Sequence, residues 1–195
     1  MAALHDFTKE HATSSCNLLI GDKTLHVSSE ILAMHSGFFR SLFFVPATKK
    51  DGEKASGDTT ASTASANEDD DATPDLVRTA LKDVRLDGVK VEEFTELLNI
   101  IYPSDSPVTE ANVKYILELS DKYHFNVVMH ECENFLKETN KLNNEERLVL
   151  ADRYRLSELA DEIIKNLKKE ELAGLVKRNL SQRTTAALLL KASEQ

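Results

Sequence analysis

Residues 16–44, CNLLIGDKTLHVSSEILAMHSGFFRSLFF, decide the fold of this chain. Two short apolar runs, Cys16–Ile20 and 24–27, flank a Gly-Asp-Lys turn at 21–23, a pattern that predicts a β-hairpin. Two short helices are predicted next, across fourteen residues that hold eight large apolar side chains: Ile31, Leu32, Met34, Phe38, Phe39, Leu42, Phe43 and Phe44. Helical geometry spreads these side chains over more than one face, so we expect part of the cluster to be core and the rest to be covered by a partner.

Composition indicates a globular chain without a membrane span. The sequence has 195 residues, 41% of them hydrophobic, and no apolar run reaches transmembrane length. Residues 1–15, MAALHDFTKEHATSS, lack the basic start and apolar stretch of a secretory signal. Cys16 and Cys132 are predicted to be buried free thiols in a reducing compartment. We therefore expect an intracellular protein, cytoplasmic or nuclear, that binds no membrane.

Negative charge is concentrated in one segment. The formal net charge is −9, and residues 51–75 hold eight acidic residues and one lysine. The remainder is close to neutral and carries no basic stripe, which argues against a nucleic-acid partner. Apolar periodicity disappears from about 46 to 79, where Ser, Thr, Ala, Gly and acidic residues dominate. That segment is predicted to be a disordered acidic insert, because it offers little apolar surface to offset the entropy of ordering.

Regular elements are predicted again after the insert. Residues 80–86 favour a short strand, and 91–102 favour a helix because Phe94, Leu97, Leu98 and Ile101 recur at helical spacing. Thr109 is the predicted N-cap of the following helix.

The second half contains an internal repeat of helical hairpins. Residues 117–136 align without gaps on residues 148–167, at an offset of 31. One helical hairpin cannot cover both of its faces, so the two copies are predicted to stack on a shared apolar stripe. Asn143 and Glu146 suggest a capping box for the second copy, and a last helix is predicted over 181–192.

No group of residues in the sequence supplies catalytic or metal-binding chemistry. The six histidines show no HExxH pattern and no Cys/His pairing at zinc-ligand spacing. A glycine-rich phosphate loop is absent, and the acidic run at 69–71 lacks the ligand spacing of a calcium loop. We therefore predict a protein that is not an enzyme and that has no catalytic residues, metal or cofactor.

Three motifs together resemble the BTB/POZ domain: ILAMHSGFFRSLF at 31–43, EEFTELLNIIYP at 92–103 and LELSDKYHFNVV at 117–128. The resemblance implies an α/β, mostly α, fold with a short sheet flanked by helices. It divides the chain into a flexible N-terminus (1–14), a BTB/POZ domain (15–139) and a C-terminal helical extension (140–195). The extension is similar to the 3-box or BACK helices found in nematode sets of BTB proteins.

The resemblance also implies partners. Proteins of this family commonly form homodimers through the first two helices, which places Ile31, Met34, His35 and Phe38 near a dimer axis. Many are adaptors of cullin-3 ubiquitin ligases, which places Phe43, Phe44, Tyr123 and His124 near the cullin. We therefore expect a homodimeric adaptor or scaffold that brings substrate proteins, unidentified by the sequence, to a cullin-3 ligase.

Two departures from the family pattern leave alternatives open. Ser15 and Ser29 stand where BTB transcription factors carry an acidic and a basic residue, so the charged pocket of those proteins is not expected. The acidic insert replaces the loop that carries an apolar-x-Glu motif in adaptors. One alternative is a scaffold that oligomerises without a ligase role. Another is a Skp-like adaptor that binds an F-box, since Skp proteins share the POZ fold and often carry an acidic loop.

Overall fold

The computed structural model describes residues 5–46, 76–104, 106–139, 141–175 and 178–193. It confirms a mostly helical α/β fold with a small sheet. The elements in chain order are β1 (Cys16–Ile20), β2 (Lys23–Val27), α1 (Ser29–His35), α2 (Gly37–Phe43), β3 (Phe44–Pro46), β4 (Leu76–Arg78), β5 (Asp83–Arg85), α3 (Val91–Ile101), α4 (Val113–Lys122), α5 (Asn126–Glu138), α6 (Asn144–Arg153), α7 (Ser157–Asn166), α8 (Lys169–Leu175) and α9 (Gln182–Ser193).

The predicted hairpin is present, and its first strand is the central strand of the three-stranded sheet. β1 pairs antiparallel with β2, and β5 pairs parallel with β1, so the strand order is β2-β1-β5. Gly21 takes φ +61° at the first central position of the two-residue turn, where a tight hairpin favours glycine. Leu18 and Ile20 point into the core from β1, which gives the alternation expected of a sheet with one buried face.

Serine caps start both early helices and aim them at the core. Ser28 accepts a hydrogen bond from the backbone N–H of Ile31 at the start of α1, and Ser36 accepts one from Phe39 at the start of α2. Phe39 is fully buried, with its ring centroid 6.5 Å from that of Phe94 and 5.9 Å from that of Phe125. This aromatic packing joins α2 to α3 and to the start of α5.

The predicted insert is shorter than the sequence indicated. Residues 47–75 lie outside the described part of the chain, but Leu76–Arg78 forms a strand that pairs antiparallel with Phe44–Pro46. The prediction of disorder from 46 to 79 is therefore wrong at its C-terminal end. A run of only three residues carries too little periodicity to be recognised as a strand.

The N-terminal segment is anchored, although the sequence suggested a flexible tail through residue 14. Phe7 is buried and packs edge-on against Tyr102, with ring centroids 4.9 Å apart. The backbone N–H of His26 donates to the carbonyl of Phe7 at 2.8 Å. One buried aromatic side chain thus ties residues 5–14 to the edge strand β2.

The internal repeat is confirmed by two equivalent turns. His124 and Arg155, 31 residues apart, both adopt left-handed backbone conformation, at φ 54° and 59°. In each turn the next residue donates back to the carbonyl five positions earlier, Phe125 to Ser120 at 2.9 Å and Leu156 to Ala151 at 2.8 Å. These are Schellman closures, which end α4 and α6 in the same way.

Of the two predicted helix caps, one is confirmed and the other is wrong. Asn143 accepts a hydrogen bond from the N–H of Glu146 at 2.8 Å, which confirms the cap of α6. Thr109 does not cap the next helix: α4 begins at Val113, and the Asn112 side chain accepts from the N–H of Thr109 at 2.7 Å. The sequence analysis also missed α8, between α7 and α9.

A buried carboxylate joins the two repeats. Glu133 on α5 is 8% exposed, and its carboxylate accepts from the N–H of Leu159 in the first turn of α7 at 3.0 Å. Lys137 lies 3.9 Å from the same carboxylate and 2.8 Å from that of Glu158. The N-terminus of α7 is therefore satisfied by a side chain from the preceding hairpin.

We predict that Glu133→Ala lowers the free energy of unfolding by about 1–3 kcal/mol, because the buried N–H of Leu159 loses its acceptor. Glu133→Gln keeps an acceptor oxygen and should cost less. Urea denaturation monitored by circular dichroism measures both. Glu131→Ala, at an exposed position of the same helix, is the matched control. Equal stability of the Glu133→Ala and Glu131→Ala variants would contradict the role assigned to Glu133.

Candidate interaction surface

The residues predicted to face a dimer partner lie on the outer side of α1 and α2. Met34 is 76% exposed, the highest value among the large hydrophobic residues that the structure leaves exposed. Ile31, His35 and Phe38 are half-buried around it. Phe38 meets the rings of Phe39 and Tyr123 edge-on, with centroids 5.1 and 5.4 Å away. These four residues of α1 and α2 are here called the α1–α2 face; Met34 is the most exposed of them, and Phe38 packs on core rings beneath it.

The residues predicted to lie near a cullin divide into two classes. Phe43 and Tyr123 are buried, at 0% and 4% exposed, so in this structure they support the core and offer little surface to a partner. Phe44 is half-buried and His124 is exposed. A partner at this end of the domain would contact Phe44 and His124. The internal repeat could have indicated that Tyr123 is buried, because it aligns Tyr123 with Tyr154, a residue that is also buried.

Two hydrogen bonds hold these two groups of residues together. The Ser36 hydroxyl, at the joint between α1 and α2, donates to the carbonyl of Tyr123 at 2.6 Å. The N–H of Gly37 donates to the carbonyl of His124 at 3.2 Å. A β-carbon added at Gly37 would lie 3.7 Å from that of His124, so the two backbones approach closely. The α1–α2 face and the α4–α5 turn are therefore parts of one continuous rigid surface.

A cavity of about 220 Å³ opens beside this surface, next to His35 at the end of α1. Its lining is largely apolar: Ile100, Ile101, Pro107, Val108, Val127 and Val128, with Ser106 and Glu131 at the polar positions. Val127 is 54% exposed on α5. Apolar surface thus continues from α1 toward α5, and contiguous exposed apolar surface is typical of protein-binding sites.

A charged cluster occupies the place where the sequence predicted none. The hydroxyls of Ser15 and Ser29 lie 2.9 Å apart, so these positions do face each other. The charges come from other residues: Arg78 on β4 donates to Ser29 at 2.9 Å and forms an ion pair with Glu30 at 2.9 Å. Ser15 donates to the Glu30 carboxylate at 2.7 Å. Glu30 and Arg78 therefore place both signs of charge beside Ser15 and Ser29, which the sequence did not predict; the loss of the family's own charged pocket stays a prediction.

Hydrogen bonding decides the protonation of Glu30. Burial by itself would raise the pKa of this carboxyl. Hydrogen bonds from Ser15, from the backbone and from Ser28, together with the charge of Arg78, outweigh burial and hold the pKa below its ordinary value. The sequence analysis missed Glu30 and Arg78. In the sequence, the one hint of this ion pair is Arg78, which follows two apolar residues at the end of the acidic segment.

The described residues contain no group of three or more His, Cys, Asp or Glu side chains that could hold a metal ion. Among the same residues, no helix has both the length and the apolar character needed to cross a bilayer. Burial raises the pKa of the Cys16 and Cys132 thiols to about 12, so both are protonated at neutral pH.

Comparison with known proteins finds relatives of this chain. A family model for the BTB/POZ domain matches residues 76–140. BTB and MATH domain-containing protein 38 of Caenorhabditis elegans is 34% identical over 186 residues, which cover 92% of this chain and 41% of that protein. BTB and MATH domain-containing protein 36 of the same organism is 29% identical over 191 residues, covering 95% of this chain and 50% of that protein.

A more distant vertebrate protein also matches. Kelch-like protein 41a of Danio rerio is 26% identical over 141 residues, which cover 72% of this chain and 19% of that protein. This chain therefore spans half or less of the length of these curated relatives. The matches to the two nematode proteins cover nearly the whole sequence, so they include the helices after residue 140 as well as the region of the family model.

The charged cluster makes stability depend on pH. The pKa of Glu30 is lowered in the folded state. The stability that Glu30 contributes to folding is therefore fully present above its unfolded-state pKa of 4.5, and it is lost as the pH falls through its folded-state pKa. We predict a carboxyl titration midpoint below 4.5 for Glu30 by NMR. Arg78→Ala should move that midpoint upward. An unchanged midpoint in Arg78→Ala would show that the ion pair has no influence on Glu30.

Proposed function

This chain is a member of the BTB/POZ family, and from that premise we propose that it is a homodimeric, non-enzymatic adaptor of a cullin-3 ubiquitin ligase inside the cell. A BTB domain is a protein-interaction module. Two of the relatives that match this chain carry MATH beside BTB in their names, and a third is named Kelch-like. Such an adaptor would bind the ligase through its BTB domain and a substrate protein through another region of the adaptor.

Homodimerisation is supported chiefly by the exposure of Met34. A methionine that is 76% exposed, on a face whose other members are half-buried, leaves apolar surface uncovered on the monomer. Full burial of a side chain of this size contributes roughly 1.5–3 kcal/mol. Several such side chains on each of two copies offset the entropic cost of association. The α1–α2 face is also the face that the family uses for dimers.

A cullin contact is supported by the surface at the end of α2. Phe44 begins the strand after α2, and His124 sits in the α4–α5 turn, where the family resemblance places the cullin. The hydrogen bonds from Ser36 and Gly37 to that turn hold both positions on one rigid body. A rigid surface loses little conformational entropy on binding, which favours affinity.

One observation favours a scaffold without a ligase role. The apolar-x-Glu motif of adaptors is replaced by the acidic insert, and β3 and β4 pair at the point where the insert leaves and rejoins the domain. This ribbon stands directly after α2, beside the proposed cullin contact. In that alternative the chain dimerises and binds its clients, and no cullin is captured. An F-box pull-down tests the Skp-like alternative.

The dimer is tested at Met34. We expect Met34→Asp to elute as a monomer in size-exclusion chromatography with light scattering, because a charge placed in an apolar contact loses its hydration. Leu190→Asp places the same charge at a position that is 67% exposed on α9 and should leave the dimer intact. Far-ultraviolet circular dichroism checks that both variants fold. A soluble, folded Met34→Asp protein with the mass of a dimer would refute the assigned interface.

The cullin contact is tested at Phe44. We expect the wild-type chain to co-elute with the N-terminal domain of cullin-3 at micromolar concentration. Phe44→Ala should weaken the complex at least about tenfold, the loss expected when a partner contact worth 1.4 kcal/mol is removed. Val149→Ala, at an exposed position on α6, is the matched control. A wild-type dimer that captures no cullin would support the scaffold alternative.

A further inference from the structure

A single carboxylate holds the start of the last helix. Asp152, in the last turn of α6, accepts a hydrogen bond from the backbone N–H of Ser181 at 2.7 Å and another from the Ser181 hydroxyl. The Thr184 hydroxyl donates to the same carboxylate at 2.5 Å. Burial would raise the pKa of Asp152, but these hydrogen bonds outweigh it and lower the pKa. Asp152 is therefore a full negative charge in contact with the Ser181 side chain.

The segment before this helix has the features of a kinase substrate. Residues 178–181 form no helix or strand, and Ser181 is exposed. Arg178 stands three positions before Ser181, and of all the arginines in the sequence it alone has a Ser or Thr at that spacing. Protein kinases select substrates partly by such charge patterns. Ser181 also lines an open cavity of about 320 Å³, which leaves room for a phosphoryl group.

We propose that Ser181 is a phosphorylation site for a serine/threonine kinase that recognises basic residues, and that phosphorylation releases α9 from α7. The Ser181 hydroxyl oxygen attacks the γ-phosphorus of ATP and forms a new P–O bond. The bond from that phosphorus to the β–γ bridging oxygen breaks, and ADP leaves with the electron pair. The hydroxyl proton passes to a base of the kinase. The inference is independent of cullin binding.

Release follows from repulsion at Asp152. The phosphate adds about −1.5 to −2 charges at pH 7 and removes the hydroxyl proton that now bonds Asp152. The N-terminus of α9 attracts the phosphate with only roughly half an elementary charge. The Asp152 carboxylate repels the phosphate with a full elementary charge at contact distance. Repulsion therefore outweighs attraction by the helix end.

The nearby arginines already have acidic partners. Arg155 lies 3.4 Å from Asp121, Arg183 lies 3.7 Å from Asp161, and Arg178 is paired with Glu145. Any of them would have to leave a carboxylate in order to bind the phosphate. These pairs are exposed and oppose a new ion pair only weakly, so it is the contact of Ser181 with the Asp152 carboxylate that favours separation of α9. Leu188, which is fully buried on α9, and the side of α7 that α9 packs against would then become accessible to a partner.

The modification site is tested with the full chain, ATP and the catalytic subunit of cyclic-AMP-dependent protein kinase. Mass spectrometry should place the phosphoryl group on Ser181, and Ser181→Ala should remove it. Arg178→Ala should slow phosphorylation by about tenfold or more, as expected for loss of a charged contact. A wild-type chain that is not phosphorylated, or equal phosphorylation of the Ser181→Ala variant, overturns the proposal.

The release of α9 is tested by amide hydrogen exchange. Phosphorylation should speed exchange over residues 182–193 by about tenfold or more at low salt, and by less at high salt because salt screens the repulsion. In an Asp152→Asn background, which removes the charge with little change of shape, phosphorylation should change exchange little. An equal acceleration in that background, or slower exchange of α9 after phosphorylation of the wild type, overturns the mechanism.

Discussion

The contact between the α1–α2 joint and the backbone of the α4–α5 turn is the constraint on which the interaction surface depends. Ser36 and Gly37 each donate to a carbonyl of that turn, the first from its side chain and the second from its backbone N–H. Beneath this contact, Phe39 packs against Phe94 and Phe125. The polar contact sets the orientation of the helices and the aromatic packing provides the stability, so the outer apolar side chains stand on a rigid base.

The same turn geometry is used twice, and this explains how the extension continues the domain. His124 and Arg155 close equivalent helices with left-handed residues, so the two helical hairpins turn through the same backbone conformation. Carboxylates then accept hydrogen bonds from backbone N–H groups at the start of a later helix. Glu133 does so at the start of α7, and Asp152 does so just before α9. Because each helix N-terminus has unsatisfied N–H groups, one well-placed acidic side chain fixes the position of a whole helix. It also makes that position sensitive to a new negative charge.

The sequence predicted the elements more accurately than it predicted the exposure of single side chains. The hairpin, helix 91–102 and the repeat follow from periodicity, which reports which face of an element is buried. Phe43 and Tyr123 were assigned to a partner surface by family position, but both lie in the core. Phe7 and Leu76–Arg78 were assigned to flexible segments, because a lone aromatic residue and a three-residue strand carry no periodic signal.

The sequence by itself determined the class of fold, the internal repeat and the apolar character of α1 and α2, because local patterns of apolar residues dictate these properties. Only the tertiary structure decided which apolar residues remain exposed, and that Met34 is the most prominent of them. It also decided that Glu30 and Arg78, 48 positions apart in the chain, meet at the positions of Ser15 and Ser29. Contacts of that kind depend on where the chain returns after a long insert, and no local pattern encodes this.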